Sequence, residues 1–234
     1  IARDGLEING YLSFPAGSNG KNLPTIIMPH DGPVARDNWG YDYRVQFLTT
    51  RGYAVLQMNF RGSTGYGFEF RQKGRHEWGR KMLEDINDGA KWMIDQGYAD
   101  PKRVCLVGEG FGGYAALQSI VKDQSLYKCS AAIAPITDLE VRFGASRTNF
   151  VESKDWTYKE ASPHFNIDKI NVPVLLVNEE RHVGIPIKNF YEKMNKSGKN
   201  VTYVKFEYDD KYLYNHGRRI VTLRELENFL KNNL

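Results

Sequence analysis

The sequence predicts an α/β protein in which a mostly parallel β-sheet is flanked by helices, a three-layer α/β/α arrangement. Segments of strand length alternate with segments of helical periodicity along the chain. The strand-like segments are apolar at successive positions, as in strands that are covered on both faces. The length of 234 residues suits one domain of this kind, so residues 1–234 are predicted to form a single α/β domain.

The strands are predicted from short runs of apolar and branched residues. An antiparallel ribbon comes first, at Leu6–Phe14, where polar and apolar residues alternate around Asn9-Gly10. The remaining strands are predicted at Thr25–Pro29, Ala54–Asn59, Val104–Val107, Ser130–Ala134, Val174–Val177 and Thr202–Phe206.

The helices are predicted from apolar spacing and from the glycines that end them. The first covers residues 41–50 and ends at Arg51-Gly52. The second has apolar residues at helical spacing from Met82 to Met93. Two further helices are marked by apolar pairs at the same spacing, Phe190 with Met194 and Leu226 with Leu230. Segment 138–170 is less regular and is predicted to form a cap-like excursion at the carboxyl edge of the strands.

Composition excludes several classes of function. The net charge of +4 comes from 32 basic and 28 acidic residues without a basic block, which argues against nucleic-acid binding. The apolar runs are far too short to span a membrane. Cys105 and Cys129 each fall in or beside a predicted buried strand, which favours reduced thiols over a disulfide or a metal pair. No cofactor is predicted, and the sequence assigns no cellular compartment.

One motif indicates the kind of active site that this fold contains. Residues 108–113 read Gly-Glu-Gly-Phe-Gly-Gly directly after the predicted strand Val104–Val107. This is the outline of a nucleophile elbow, G-x-S-x-G, a strained strand-to-helix turn that raises one side chain above a parallel sheet. Gly110 stands at the serine position, so the raised residue has no side chain.

Further short motifs follow one another in a fixed order through the chain: Arg3-Asp4-Gly5, His30-Asp31-Gly32-Pro33, Gly52-Tyr53-Ala54-Val55, Asn59-Phe60-Arg61-Gly62-Ser63-Thr64-Gly65-Tyr66-Gly67, Asp85, Asp88-Gly89, Trp92, Asp100-Pro101-Lys102-Arg103-Val104 and Ser162-Pro163. Together they resemble the catalytic domain of the prolyl oligopeptidase family of serine peptidases, in which the second motif is usually H-G-G-P. The resemblance implies an α/β-hydrolase fold, and an amino-terminal β-propeller in a longer natural chain.

The resemblance also assigns positions to a catalytic triad in the order Ser, Asp, His. The serine position is Gly110, and the aspartate position aligns with His182. An imidazole cannot supply the anion that stabilises a neighbouring imidazolium. The histidine position falls on Leu213 when residues are counted from Tyr208, or on His216 when the alignment is shifted by three residues. Both alternatives stay open, and His216 is also explained as an exposed residue near a helix start.

The donors of an oxyanion hole remain in the sequence. They are the backbone N–H of Phe111 and, by the resemblance, the hydroxyl of Tyr66. A site of this kind is expected to bind a carboxylate or carbonyl oxygen without cleaving anything. The sequence therefore predicts a degenerate, non-catalytic relative of a serine peptidase that acts as a structural module or binds a peptide or protein.

Two alternatives remain. One is an active serine-type hydrolase that uses another hydroxyl, for which Ser146, Ser153 and Ser162 are candidates. Glu109 and Ser63 are not predicted to replace the nucleophile. Glu109 is better explained as a salt-bridge or capping residue, and Ser63 belongs to the loop on the oxyanion side. The other alternative is a metal or anion site within residues 179–216, built from Glu179, Glu180, His182, Asp209, Asp210 and His216, although their spacing matches no recognised metal signature.

Overall fold

A computed structural model of the protein describes residues 1–143, 158–178, 187–206 and 216–234. Within these residues the strands form one seven-stranded sheet in the order β1-β3-β2-β4-β5-β6-β7. The strands are β1 (Asn9–Ser13), β2 (Leu23–Ile27), β3 (Ala54–Asn59), β4 (Ala99–Glu109), β5 (Cys129–Ile133), β6 (Val174–Asn178) and β7 (Val201–Lys205). The sheet is parallel except for β1, which pairs antiparallel with β3. The predicted α/β class is confirmed.

The segment predicted as an antiparallel amino-terminal ribbon contains β1, whose antiparallel partner is the distant strand β3. Asn9-Gly10 is a common hairpin-turn pair, but both residues lie inside β1, opposite Asn59 and Met58 of β3. A Cβ atom added at Gly10 would come 2.5 Å from the carbonyl oxygen of Gln57. This glycine therefore permits a close approach of two strands and does not make a turn.

Helices cover both faces of the sheet. They are α1 (Tyr43–Thr49), α2 (Phe68–Gln72), α3 (Lys81–Asp95), α4 (Phe111–Lys122), α5 (Leu139–Phe143), α6 (Tyr158–Ala161), α7 (Ile187–Lys196) and α8 (Gly217–Asn233). One core joins α3, α4 and α7 to one face of the sheet, and a second core joins α1 and α8 to the other. Successive residues of β4 alternate between the cores, Val104 and Leu106 in the first, Cys105 and Val107 in the second. This explains why the segment Val104–Val107 is apolar at every position.

The prediction of reduced thiols is wrong. Cys105 of β4 lies directly opposite Cys129 of β5 in the parallel pairing, and the two residues form a disulfide. Each cysteine is apolar enough to belong to a buried strand, and the sequence does not show that the two strands place them side by side.

Segment 138–170 is described only in part. Its described residues form α5, α6 and two 3-10 turns, Pro163–Phe165 and Ile167–Lys169. They pack against α4, where the buried Tyr114 hydroxyl donates to the carbonyl oxygen of Ala161 at 2.9 Å. In the described ranges no helix has the length and apolar character needed to cross a membrane.

Candidate functional site

The candidate site lies at the turn between β4 and α4. Gly110 is the N-cap residue of α4, and its backbone angles are φ 57° and ψ −118°. Its N–H donates to the carbonyl oxygen of Ile133 at 3.0 Å, and its own carbonyl accepts from the N–H of Tyr114 at 3.0 Å. A positive φ at the apex of a strand–turn–helix unit is the strained geometry of a nucleophile elbow.

The neighbouring glycines allow this turn to be tight. A Cβ atom added at Gly108 would collide with the carbonyl oxygen of Gly112, and one added at Gly112 would collide with that of Pro29. The strand, the helix and the loop after β2 therefore approach one another at backbone distance. Glycine at positions 108 and 112 is needed for this packing, whichever residue stands at the apex.

Asp31 covers the apex of the turn. Its Oδ1 accepts a hydrogen bond of 2.6 Å from the N–H of Phe111, the first residue of α4. Its Oδ2 lies 2.7 Å from the position that a Cβ atom on Gly110 would take. Sequence reasoning missed this residue, although one signal was present: Asp31 stands where the family motif H-G-G-P has its first glycine.

The loop that carries Asp31 is anchored by His30. The imidazole is 9% exposed and stacks on the ring of Phe60 with centroids 4.3 Å apart. Its Nδ1 lies 2.8 Å from the carbonyl oxygen of Asp31, and its Nε2 lies 2.8 Å from the hydroxyl oxygen of Ser63. Burial lowers the pKa of His30 below its ordinary value.

The two predicted oxyanion donors have different surroundings. The N–H of Phe111 already donates to Asp31. The hydroxyl oxygen of Tyr66 accepts a 2.8 Å hydrogen bond from Asn59, and the guanidinium of Arg36 lies 5.0 Å from the Tyr66 ring centre. Tyr66 thus contacts the loop after β2, and the oxyanion role of these two donors stays a prediction.

Acidic groups surround the elbow. Glu109 forms a 3.1 Å ion pair with Arg44, which agrees with its prediction as a salt-bridge or capping residue. Burial raises the pKa of Asp37 to about 6, and its buried Oδ2 has no hydrogen-bond partner among the described residues. Together with Asp31 they line a cavity of about 20 Å³, room for about one water molecule. Larger cavities of about 280 and 300 Å³ lie elsewhere, beside Trp92 and Trp78.

Two described serines, Ser63 and Ser162, are candidates for a replacement nucleophile. Ser63 is within 2.8 Å of a histidine nitrogen, but it is 0% exposed and its hydroxyl donates to the carbonyl oxygen of Phe60 at 2.7 Å. Ser162 is also 0% exposed, and its hydroxyl donates to the carbonyl oxygen of Tyr158 at 2.5 Å. A substrate cannot reach either hydroxyl in this conformation, so both serve packing.

Several predicted site residues lie outside the described residues: His182, Leu213, Ser146, Ser153, Glu179, Glu180, Asp209 and Asp210. His216 is described, and it is an exposed residue immediately before α8. Among the side chains that the structure describes, no group of three His, Cys, Asp or Glu residues is arranged to hold a metal ion.

The parallel sheet, its covering helices and the strand–turn–helix unit at Gly110 define a protein of the α/β-hydrolase fold. The sequence model of the prolyl oligopeptidase family matches residues 39–234. The chain belongs to the prolyl oligopeptidase family.

Individual relatives agree with this assignment. Dipeptidyl aminopeptidase BIII of Pseudoxanthomonas mexicana is 31% identical over 233 residues, which cover 88% of this chain and 33% of that protein. The Mus musculus protein named inactive dipeptidyl peptidase 10 is 27% identical over 181 residues, 74% of this chain and 23% of its own. A puromycin-hydrolyzing peptidase of Mycobacterium tuberculosis superposes with a TM-score of 0.88 at 25% identity, over 100% of this chain and 38% of that one. The chain thus spans about a third of the length of the first of these relatives.

Proposed function

We propose that this chain is a non-catalytic member of the prolyl oligopeptidase family that acts as a structural module or binds a peptide or protein. The observation that carries the proposal is the glycine at the apex of the elbow. Acyl transfer in this family of folds begins with attack by a hydroxyl at that apex. Gly110 offers no atom that can form the acyl intermediate.

The expected size of the defect supports the same proposal. In a serine protease, loss of the nucleophile alone lowers turnover by about a millionfold, and loss of further triad members adds little. Binding and oxyanion donors retain about 10³–10⁴-fold over the reaction in water. His182 at the predicted aspartate position means that Gly110 is not the only departure from the family pattern.

Two further parts of the proposal rest on resemblance. The relative named inactive dipeptidyl peptidase 10 offers a precedent by name for a family member without activity. The β-propeller expected in the natural chain stays a prediction, as does the peptide or protein that this domain binds. An active hydrolase with non-standard residues is the competing function, and one experiment separates the two.

The test is hydrolysis of chromogenic aminoacyl and peptidyl substrates by the purified protein, with an active serine peptidase as positive control. We expect no turnover above that of a heat-unfolded sample. Turnover would contradict the proposal, and Ser63→Ala and Ser162→Ala variants would then show whether either described hydroxyl is responsible.

A further inference from the structure

The carboxylate of Asp31 occupies the space that a side chain at the elbow would need. All three nearest neighbours of a Cβ atom added at Gly110 are atoms of this carboxyl group, Oδ1, Cγ and Oδ2. The same Oδ1 accepts the 2.6 Å hydrogen bond from the N–H of Phe111. A bond this short is typical of a charged acceptor.

We propose that Asp31 is a built-in ligand of the elbow, which closes the anion-binding end of α4 and has to move aside before a side chain can stand at position 110. The inference goes beyond the proposed function, because it assigns a new residue to the site and states what fills it. It also replaces the expectation that this end of the helix is open to a carboxylate or carbonyl oxygen from a peptide.

The fold explains why Asp31 reaches the elbow. Strands β2 and β4 are neighbours in the sheet, so the loop that follows β2 lies over the turn that follows β4. His30 holds this loop through its contacts with Phe60, Ser63 and the carbonyl oxygen of Asp31. His30 is therefore a positioning residue for the Asp31 carboxylate.

The chemistry of the helix end matches this occupant. The N-terminus of α4 presents N–H groups that have no partner within the helix and the positive end of the helix dipole, which together attract an anion. Gly110 supplies no capping side chain, and Asp31 provides the missing acceptor from a distant part of the sequence. The carboxylate also acts as an N-terminal cap for α4.

The surroundings disfavour a second anion. The residual cavity of about 20 Å³ is lined by Asp31, Asp37 and Glu109, with Arg44 as the basic group. A peptide carboxylate or carbonyl oxygen would have to displace Asp31 to accept the hydrogen bond of the Phe111 N–H. Any peptide or protein that this domain binds is therefore expected to contact another surface.

A double-mutant cycle between positions 31 and 110 tests the inference. The variants are Asp31→Ala, Gly110→Ala and the pair, compared by the equilibrium constant for unfolding in urea. Ala at position 31 removes all three atoms that collide with an added Cβ at position 110. The strain of a positive φ is the same in both backgrounds, so the cycle cancels it.

We expect Gly110→Ala to shift the unfolding equilibrium at least about tenfold less in the Asp31→Ala background than in the natural chain. In the natural chain the added Cβ atom displaces Asp31 and breaks its charged hydrogen bond to the N–H of Phe111. In the Asp31→Ala background that hydrogen bond is already absent. Asp31→Asn keeps the shape of the side chain and loses its charge, so it is expected to retain part of the coupling. Additive effects, equal within about twofold, would overturn the inference.

Amide exchange decides the question if Gly110→Ala does not fold. In the natural chain the N–H of Phe111 is bonded to Asp31, and Asp31→Ala is expected to speed its exchange at least about tenfold. The N–H of Gly110, bonded to Ile133, is the internal reference. Asp100→Ala removes another carboxylate that accepts from a backbone N–H, that of Lys102, and is the matched control.

Unchanged exchange at Phe111 in Asp31→Ala would overturn the inference. Faster exchange at Phe111 with an unchanged Gly110 N–H would support it. These readouts do not measure hydrolysis, so the inference and the proposed function can fail separately.

Discussion

Replacing Arg61 by alanine tests the buried charge network at the end of β3. Arg61 follows β3 and is 4% exposed in its side chain, and the side chain of its partner Asp85 is 0% exposed. The guanidinium donates to both Asp85 oxygens, at 2.8 and 2.6 Å, and to both Asp4 oxygens, at 2.8 and 3.0 Å. Burial opposes the charge of Arg61, yet these hydrogen bonds raise its pKa above the ordinary value.

The magnitude follows from what the substitution leaves behind. In Arg61→Ala, Asp85 keeps only the backbone N–H of residue 61, at 2.9 Å in the natural chain. A buried charge that loses its partner costs about 3–5 kcal/mol. The matched control is Arg103→Ala, since Arg103 pairs with Asp100 at the surface, with side chains 38% and 18% exposed. Such a pair contributes about 0–1 kcal/mol.

The assay is urea unfolding followed by tryptophan fluorescence, at about pH 7 and about pH 5. Without Arg61, burial raises the pKa of Asp85 in the folded state above its unfolded value of about 3.9. The folded state then binds a proton more readily than the unfolded state, so the deficit shrinks as the pH falls. A loss no larger than that of Arg103→Ala, or a deficit that grows at lower pH, would refute this reasoning.

Two further predictions concern single buried groups. Burial raises the folded pKa of Asp37 to about 6, above its unfolded value of about 3.9, so stability contributed by the neutral form is lost as the pH rises between these values. Relative to the natural chain, the free energy of unfolding of Asp37→Asn is therefore expected to rise by about 1–2 kcal/mol between about pH 4 and pH 7, after allowance for partial exposure. Parallel pH profiles of the two proteins in urea unfolding would contradict this. Ser162→Ala should cost about 1–3 kcal/mol, because the N–H of Leu139 loses its 2.9 Å acceptor and the carbonyl of Tyr158 its donor; a neutral result in the same assay would count against this packing role.

Most of the fold could be predicted because the strands are buried on both faces. An apolar run such as Ala54–Asn59 is predicted and observed with the same bounds. The other predicted parallel strands differ at their ends, by five residues at the start of β4 and by one or two elsewhere. The end of a strand depends on its neighbours in the sheet, and a single sequence does not specify them.

The errors have the same origin. Local sequence predicts an antiparallel ribbon at Leu6–Phe14 without its partner strand, and separate thiols at Cys105 and Cys129. Each outcome depends on pairing between strands that are distant in sequence, β1 with β3 and β4 with β5. Local propensity does not contain that information.

The candidate site shows the same division. The motif around Gly110 predicts the elbow, because a strand, glycines and a helix in this order permit few other geometries. Asp31 is 79 residues earlier in the sequence (110 minus 31), and its role depends on the adjacency of β2 and β4. A departure from a family motif indicates that a position has changed, but only the packing shows which space the new side chain fills.

Intact-mass measurement after treatment with a fluorophosphonate serine probe tests the central claim most directly. The claim is that no nucleophilic hydroxyl is presented at the elbow of this protein. We expect the folded natural chain to keep its unmodified mass under conditions in which an active serine peptidase is fully labelled. A stoichiometric mass increase on the folded protein, absent after heat unfolding, would contradict the account.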